Sequence, residues 1–286
     1  MQPRSLPRAG TGSFWPALAV VAGLWAALAP AVALDGTLFP DPHLEDAVRA
    51  QVFAKRDSRE PLVEADVIQV STVDARHREI GSLVGLEKCR NLAMIELTGN
   101  RITDLSPLSG LARLQYLDVQ SNRVENVEAL RHVPALQYLQ LADNRVADVR
   151  ALAGLTNLAA LYLGGNRIED ITPLLGLPRL SSVYLERNRI RKLDGLSRWR
   201  GVSSLSLSGN RIADLSWLSG LDRLQYLFLE RNKIQDLTPL LAWVKADTEQ
   251  RFAPFLNVYL EGNPLGSQAR RTQLESLKKT GVRVHP

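Results

Sequence analysis

The chain is 286 residues long, with 45% hydrophobic and 23% charged side chains. That balance belongs to a folded globular protein and excludes a disordered polymer. A formal charge of +5 without a compact basic run excludes a dedicated nucleic-acid binder, and a single cysteine, Cys89, excludes a disulfide framework.

Arg4 and Arg8 give the chain a basic start. Ala17 to Ala29 is an uninterrupted apolar run, followed by the small residues of Ala31 to Ala33. This is the layout of a secretory signal peptide over residues 1–33, with cleavage after Ala33. The run falls short of the ~20 residues that a membrane span needs. The mature chain is therefore expected to be periplasmic or secreted, with no membrane span.

Residues 34–66 read as an N-terminal helical cap. "DPHLEDAVRAQVF" opens with Asp41 as helix cap and Pro42 in the first helical position. Leu44, Ala47, Val48, Gln51 and Val52 follow at helical spacing.

Residues 67–265 form an array of about eight or nine coils. Asn100, Asn122, Asn144, Asn166, Asn188, Asn210 and Asn232 recur every 22 residues without a slip. A fixed period of this length marks a solenoid. Apolar residues precede each Asn at minus 8, minus 5 and minus 3, as at Leu92, Ile95 and Leu97. Others follow at plus 2, 5, 8 and 11, as at Ile102, Leu105, Leu108 and Leu111. Val70, Val73 and Ala75, then Ile80, Leu83, Leu86 and Cys89, make an earlier degenerate coil with Arg78 at the Asn position. Cys89 is thereby a core residue. Phe255, Val258, Leu260 and Asn263 supply a last coil, after an insertion near 244–252 that is expected to bulge from the surface.

The pattern LxxLxLxxN with its "NRIxDLxPL" tail resembles the leucine-rich repeat family, in its 22-residue internalin-like and phosphatase-regulator-like subclass. The resemblance covers about residues 67–265. It implies a right-handed curved coil and most often a protein partner.

Period-two leucines, such as Leu161 and Leu163, face one side of a short strand. The steps of three that follow fit tight 3₁₀ turns. Ser106-Pro107, Thr172-Pro173 and Thr238-Pro239 stand where those turns begin, with Ser or Thr as the expected cap. Each Asn is expected to be buried and bonded to backbone of adjacent coils. Arg at plus 1 and Asp at plus 4, as in Arg101 and Asp104, are expected to form a solvated ladder of ion pairs. The fold class is thus α/β: a leucine-rich repeat solenoid with a parallel concave sheet, a 3₁₀ and irregular convex side, and helical caps. The C-terminal cap covers 266–286, with Leu274 and Leu277 on a short helix closed by Gly281, and "GVRV" as a terminal strand. Both caps resemble those of bacterial leucine-rich repeat proteins.

No catalytic motif is present, and the four histidines have no second ligand near them in sequence. No enzyme, no cofactor and no metal site is expected. The informative surface is the strand face. Residues at minus 6, minus 4 and minus 2 point away from the leucines, with about 4.8 Å between coils. All six tyrosines fall there: Tyr116, Tyr138, Tyr162, Tyr184, Tyr226 and Tyr259. Met94, Gln140 and Phe228 join them, interspersed with Glu96, Asp118, Glu186, Glu230 and Glu261. Ser204, Ser206 and Ser208 leave one coil nearly bare and divide two aromatic subsites. Tyr combines apolar area with a polar tip, which suits protein interfaces. The expected function is an exported, non-enzymatic module that binds a protein on this face. A glycan or cell-wall ligand is the alternative, because aromatic strips also stack on sugars. An intracellular phosphatase-type regulator fits the repeat but conflicts with the leader.

Overall fold

A computed structural model describes residues 37–286. The leader and its cleavage point after Ala33 lie outside the described residues. Ten three-residue strands form one parallel sheet in chain order. They are β1 Thr72–Asp74, β2 Met94–Glu96, β3 Tyr116–Asp118, β4 Tyr138–Gln140, β5 Ala160–Tyr162, β6 Ser182–Tyr184, β7 Ser204–Ser206, β8 Tyr226–Phe228, β9 Asn257–Tyr259 and β10 Arg283–His285. Sequential parallel pairing without crossover is what stacked identical coils produce.

The leucine pattern explains the core. The central residue of each strand from β1 to β9 is buried; Leu139 in β4, for example, pairs in register with Leu117 and Leu161 and is fully buried. Leu141, Val146, Val149, Leu152 and Leu155 complete the same coil inside one continuous core. Burying each such side chain contributes about 1.5–3 kcal/mol. No coil could retain that burial alone, so stability resides in the stack.

The Asn column closes each coil. Asn166 Nδ2 donates to the carbonyl of Leu163 in its own coil at 3.0 Å and to Leu141 in the preceding coil at 2.9 Å. Its Oδ1 accepts from the Val146 amide at 2.9 Å. The same triple pattern recurs at Asn188, with Leu185, Leu163 and Ile168. Three buried backbone groups are thereby satisfied at each turn.

The residue before each Asn, and before Arg78 in the degenerate first coil, is left-handed, whatever its identity. Gly99, Gly165, Gly209 and Gly262 stand there, but so do His77, Ser121, Asp143, Arg187 and Arg231, with φ of 54–56° for those five. The stack of hydrogen bonds imposes a conformation that costs a non-glycine residue about 1–2 kcal/mol.

The return legs are short 3₁₀ turns, such as Ser106–Leu108, Arg150–Gly154 and Thr172–Gly176. Two expectations about them need correction. Ser106 and Thr172 do not cap these turns. The Asp at plus 4 does so instead, accepting from the amide two residues on: Asp148 from Arg150 at 2.9 Å, Asp170 from Thr172 at 2.8 Å, and Asp214 from Ser216 at 3.0 Å. These carboxyls are consequently not partners of the plus 1 arginines. Arg145 pairs with Glu125, and Arg189 with Glu169, at plus 3 of the preceding coil. The side-chain and backbone hydrogen bonds at the turn hold Asp170 and Asp214 below the usual carboxylate range.

Four α-helices punctuate the array. α1, Pro42–Arg49, is capped by Asp41, whose Oδ1 accepts from His43 and Leu44. The other oxygen of Asp41 accepts from Gly81 and Ser82, tying the cap to the first coil. Leu44, Ala47 and Val48 are buried, but the helix ends before Gln51, which is exposed. α2 is a single turn, Glu64–Val67. α3, Thr238–Lys245, replaces the 3₁₀ turn expected after Thr238-Pro239. α4, Leu274–Lys279, follows a π turn over Ala269–Gln273 and buries Leu277, with Leu274 partly buried against the core. β10 then pairs with β9, as "GVRV" suggested.

The insertion near 244–252 lies at the surface, with Lys245, Ala246 and Thr248 to Arg251 exposed, but it is anchored inward. Phe252 folds back against Trp243, with ring centroids 4.4 Å apart, and both are buried. Asp247, also buried, accepts from the amides of Arg251, Phe252 and Ala253 at 2.9 Å each. The buried apolar residues of the insertion thereby join the continuous core. The extra residues also shift the frame: Phe255 is 61% exposed, and Leu256 takes its expected core place.

Candidate functional site

The sheet presents two columns of side chains on its open face. Strands such as β3, β4 and β5 bury the central residue and turn their two ends outward. One column runs Met94, Tyr116, Tyr138, Ala160, Ser182, Ser204 and Tyr226. The other runs Glu96, Asp118, Gln140, Tyr162, Tyr184, Ser206, Phe228 and Tyr259. Parallel register brings successive rings to within stacking distance, because strands repeat at about 4.8 Å.

Tyr116 and Tyr138 stack with centroids 4.2 Å apart and planes 7° from parallel. Between β4 and β5 the aromatic series crosses from the first column to the second, so Tyr138 and Tyr162 meet diagonally at 5.2 Å and 41°. Tyr162 and Tyr184 then stack at 4.9 Å. Where the rings leave the first column, Ala160, Ser182 and Ser204 line a shallow strip beside them. Tyr184 closes the series, its hydroxyl 3.0 Å from Ser204 Oγ. Burial raises the hydroxyl pKa of Tyr116, Tyr138 and Tyr162, so all three stay protonated donors at neutral pH.

Ser204, Ser206 and Ser208 do separate this series from a second one. There Tyr226 and Phe228 lie 6.4 Å apart, Phe228 and Tyr259 stack at 4.6 Å, and Tyr259 stacks on His285 at 4.3 Å. The first series begins at Tyr116, two coils before the Tyr162 and Tyr184 pair. His285 escaped sequence reasoning because β10 carries no repeat consensus; its place opposite Tyr259 follows only from the register of β10 on β9.

The acidic residues have individual settings. Glu96 pairs with Arg76 at 3.2 Å, and Arg76 also holds Asp74 at 2.6 Å. Asp118 accepts from the Thr98 hydroxyl at 2.7 Å and the Gln120 amide at 2.9 Å. Gln140 Oε1 accepts from the Ala142 amide at 2.9 Å. Ser208 donates to Glu230. Glu186 reaches over Gly164: a Cβ there would stand 2.1 Å from Glu186 Oε1. The other oxygen, Oε2, is buried and has no partner among the described residues. Such an acceptor is costly when unsatisfied. Met94 and Glu261 belong to the same face, at its two ends; Met94 is partly buried and Glu261 exposed.

Among the described residues no group of His, Cys, Asp or Glu is arranged to hold a metal ion. Cys89 is fully buried, and burial pushes its thiol up to about 12, which makes it inert as a nucleophile. No helix of the described residues is long and apolar enough to cross a membrane.

Comparison with known proteins agrees with the fold. Sequence models of the leucine rich repeat match residues 178–234, and models of two leucine rich repeat copies match 90–132, 134–175 and 156–198. Internalin C2 of Listeria monocytogenes is similar at 31% identity, covering 78% of this chain and 94% of that one, with a TM-score of 0.69. A leucine-rich repeat protein of Leptospira interrogans shares the fold at 22% identity, over 71% of this chain and 50% of that one, with a TM-score of 0.63. No curated protein matches. With its 22-residue coils, unbroken Asn column and ten-stranded parallel sheet, the chain belongs to the leucine-rich repeat family and is internalin-like in type.

Proposed function

We propose that the chain is an exported, non-enzymatic module that grips a protein partner on its aromatic sheet face. Leucine-rich repeat folds of this kind are binding modules in general; the partner class and the face are our reading. The observation that carries it is the mutual stacking of Tyr116, Tyr138, Tyr162 and Tyr184. Stacked rings spend their faces on one another and turn their edges and hydroxyls outward. A sugar ring needs a free aromatic face. A protein surface needs apolar edges, rigid placement and hydroxyl donors, which stacked tyrosines offer at little entropic cost.

Support for export comes from the basic, apolar and small-residue order of residues 1–33, and for a bacterial surface or secreted setting from the likeness to internalin C2. The test is affinity capture with immobilised protein, comparing the native chain with Tyr162→Ala/Tyr184→Ala. The reading expects specific proteins to be retained by the native chain and lost by the variant, with both equally folded by circular dichroism. Equal capture by both, or binding to purified peptidoglycan in place of protein, would overturn it.

A further inference from the structure

We propose that a second site, an arginine-lined cavity on the segments leading into β7, β8 and β9, binds a phosphorylated saccharide. The cavity measures about 1010 Å³. Arg198 and Arg200 enter it from the segment leading into β7, Arg223 from the segment leading into β8, and Arg251 from the segment leading into β9. Three successive coils thus contribute four exposed arginines to the lining of one space. Asp222 and Ser197 also line it.

The repeat does not require these arginines. One coil earlier the places of Arg198 and Arg200 are held by Gly176 and Pro178, and two coils earlier by Gly154 and Thr156. Only the first coil carries comparable charge, as Lys88 and Arg90. There, Glu64 neutralises both, at 3.7 and 3.0 Å. Arg198, Arg200 and Arg223 have no such partner: among the described residues their side chains make no ion pair and no hydrogen bond. Arg251 is compensated by Glu249 at 3.4 Å and by Asp247 at 4.0 Å. Trp199 fixes the geometry. It is buried between Arg198 and Arg200, and its Nε1 donates to the Leu174 carbonyl at 3.1 Å, so its two neighbours must face outward.

A cavity lined by four guanidinium groups, three of them unpaired, favours phosphate, which accepts paired hydrogen bonds from such forks. The remaining lining selects what carries the phosphate. The volume reaches the top of the range for small-molecule sites, about 300–1,000 Å³, and far exceeds one phosphate group. Asp222 would repel a bare polyanion. Its carboxylate and the Ser197 hydroxyl suit instead the hydroxyls of a sugar ring.

Isothermal titration of the full chain with glucose 1,6-bisphosphate tests this, beside pyrophosphate, glucose and phosphatidylglycerol vesicles. The proposal expects saturable binding of the sugar bisphosphate, tighter than pyrophosphate, and none of glucose. Arg198→Ala/Arg200→Ala should weaken it at least tenfold, and so should Arg223→Ala, which tests the site from a different coil should the double variant fold poorly. Asp222→Asn should weaken the sugar bisphosphate while leaving pyrophosphate unchanged or tighter. Absence of sugar bisphosphate binding, equal affinity for pyrophosphate, preference for the vesicles, or indifference to the arginine variants would each overturn the proposal. Because none of these residues lies on the aromatic face, protein capture by that face is expected to be untouched in all three variants.

Discussion

Arg187 Nη2 donates to Asp143 Oδ1 at 2.8 Å across an entire intervening coil. The residue between them is Gly165, where a Cβ would stand 2.3 Å from that carboxylate oxygen. Gly165 is also left-handed, with φ +67°. Gly165→Ala should therefore do two things: add about 1–2 kcal/mol of backbone strain and push Asp143 off Arg187. Urea denaturation should register a loss near the strain figure, since an exposed ion pair adds little. An unchanged midpoint would mean that the coil relaxes freely at this position.

The Asn column is the larger structural commitment. Asn166→Ala leaves the Val146 amide and the Leu141 and Leu163 carbonyls without their partner in the core. We expect a loss of about 3 kcal/mol in thermal or chemical denaturation, from a cost of about 1–3 kcal/mol per unsatisfied buried group, partly relieved by water. Asn166→Asp should be at least as damaging, because a carboxylate cannot donate to either carbonyl.

Much of this architecture is legible in the sequence because the repeat averages out local ambiguity. Leucines at fixed offsets from Asn100 through Asn232 specify core, strand and turn together. The features that escaped lack that support. The left-handed residue before each Asn, and before Arg78, varies among Gly, His, Ser, Asp and Arg, so only the backbone ladder reveals it. The plus 4 Asp reads equally well as half of an ion pair or as a turn cap, and geometry decides for the cap. The insertion breaks the period, so the offset that pointed to Phe255 fails and Leu256 fills the core. The aromatic positions are legible one by one, but their crossing from one column to the other at Ala160 is a matter of register.

Asp247 links the insertion to pH. Burial opposes its ionisation, but three amide donors outweigh that, and the neighbouring Arg251 assists, so its pKa is held below the ordinary 3.8. The turn caps Asp148, Asp170, Asp214 and Asp236 are lowered too, by side-chain and backbone hydrogen bonds. A depressed carboxyl contributes its full stability above its unfolded pKa and loses it as pH falls through the folded value. The melting temperature should therefore be flat from pH 7 to about 5 and fall steeply below about 4. Asp247→Ala should cost about 3 kcal/mol at pH 7 and flatten part of that acid slope. A melting curve insensitive to acid would contradict the assigned role of these carboxylates.

Cys89 gives a simple report of the packed stack. With its thiol fully buried and its pKa near 12, it should resist iodoacetamide at pH 8 in the native protein and react fully in denaturant. Rapid native labelling, followed by mass spectrometry, would mean that the first coil opens readily.

Photo-crosslinking tests the assignment of the binding face most directly. A benzophenone amino acid is placed at Tyr162, in the first aromatic series, or at Arg150, which is exposed on the opposite, turn-bearing side. Irradiation in extract should join the position-162 protein to a discrete protein partner and leave the position-150 protein uncrosslinked. Crosslinks from position 150 alone, or from position 162 to polysaccharide only, would contradict the account.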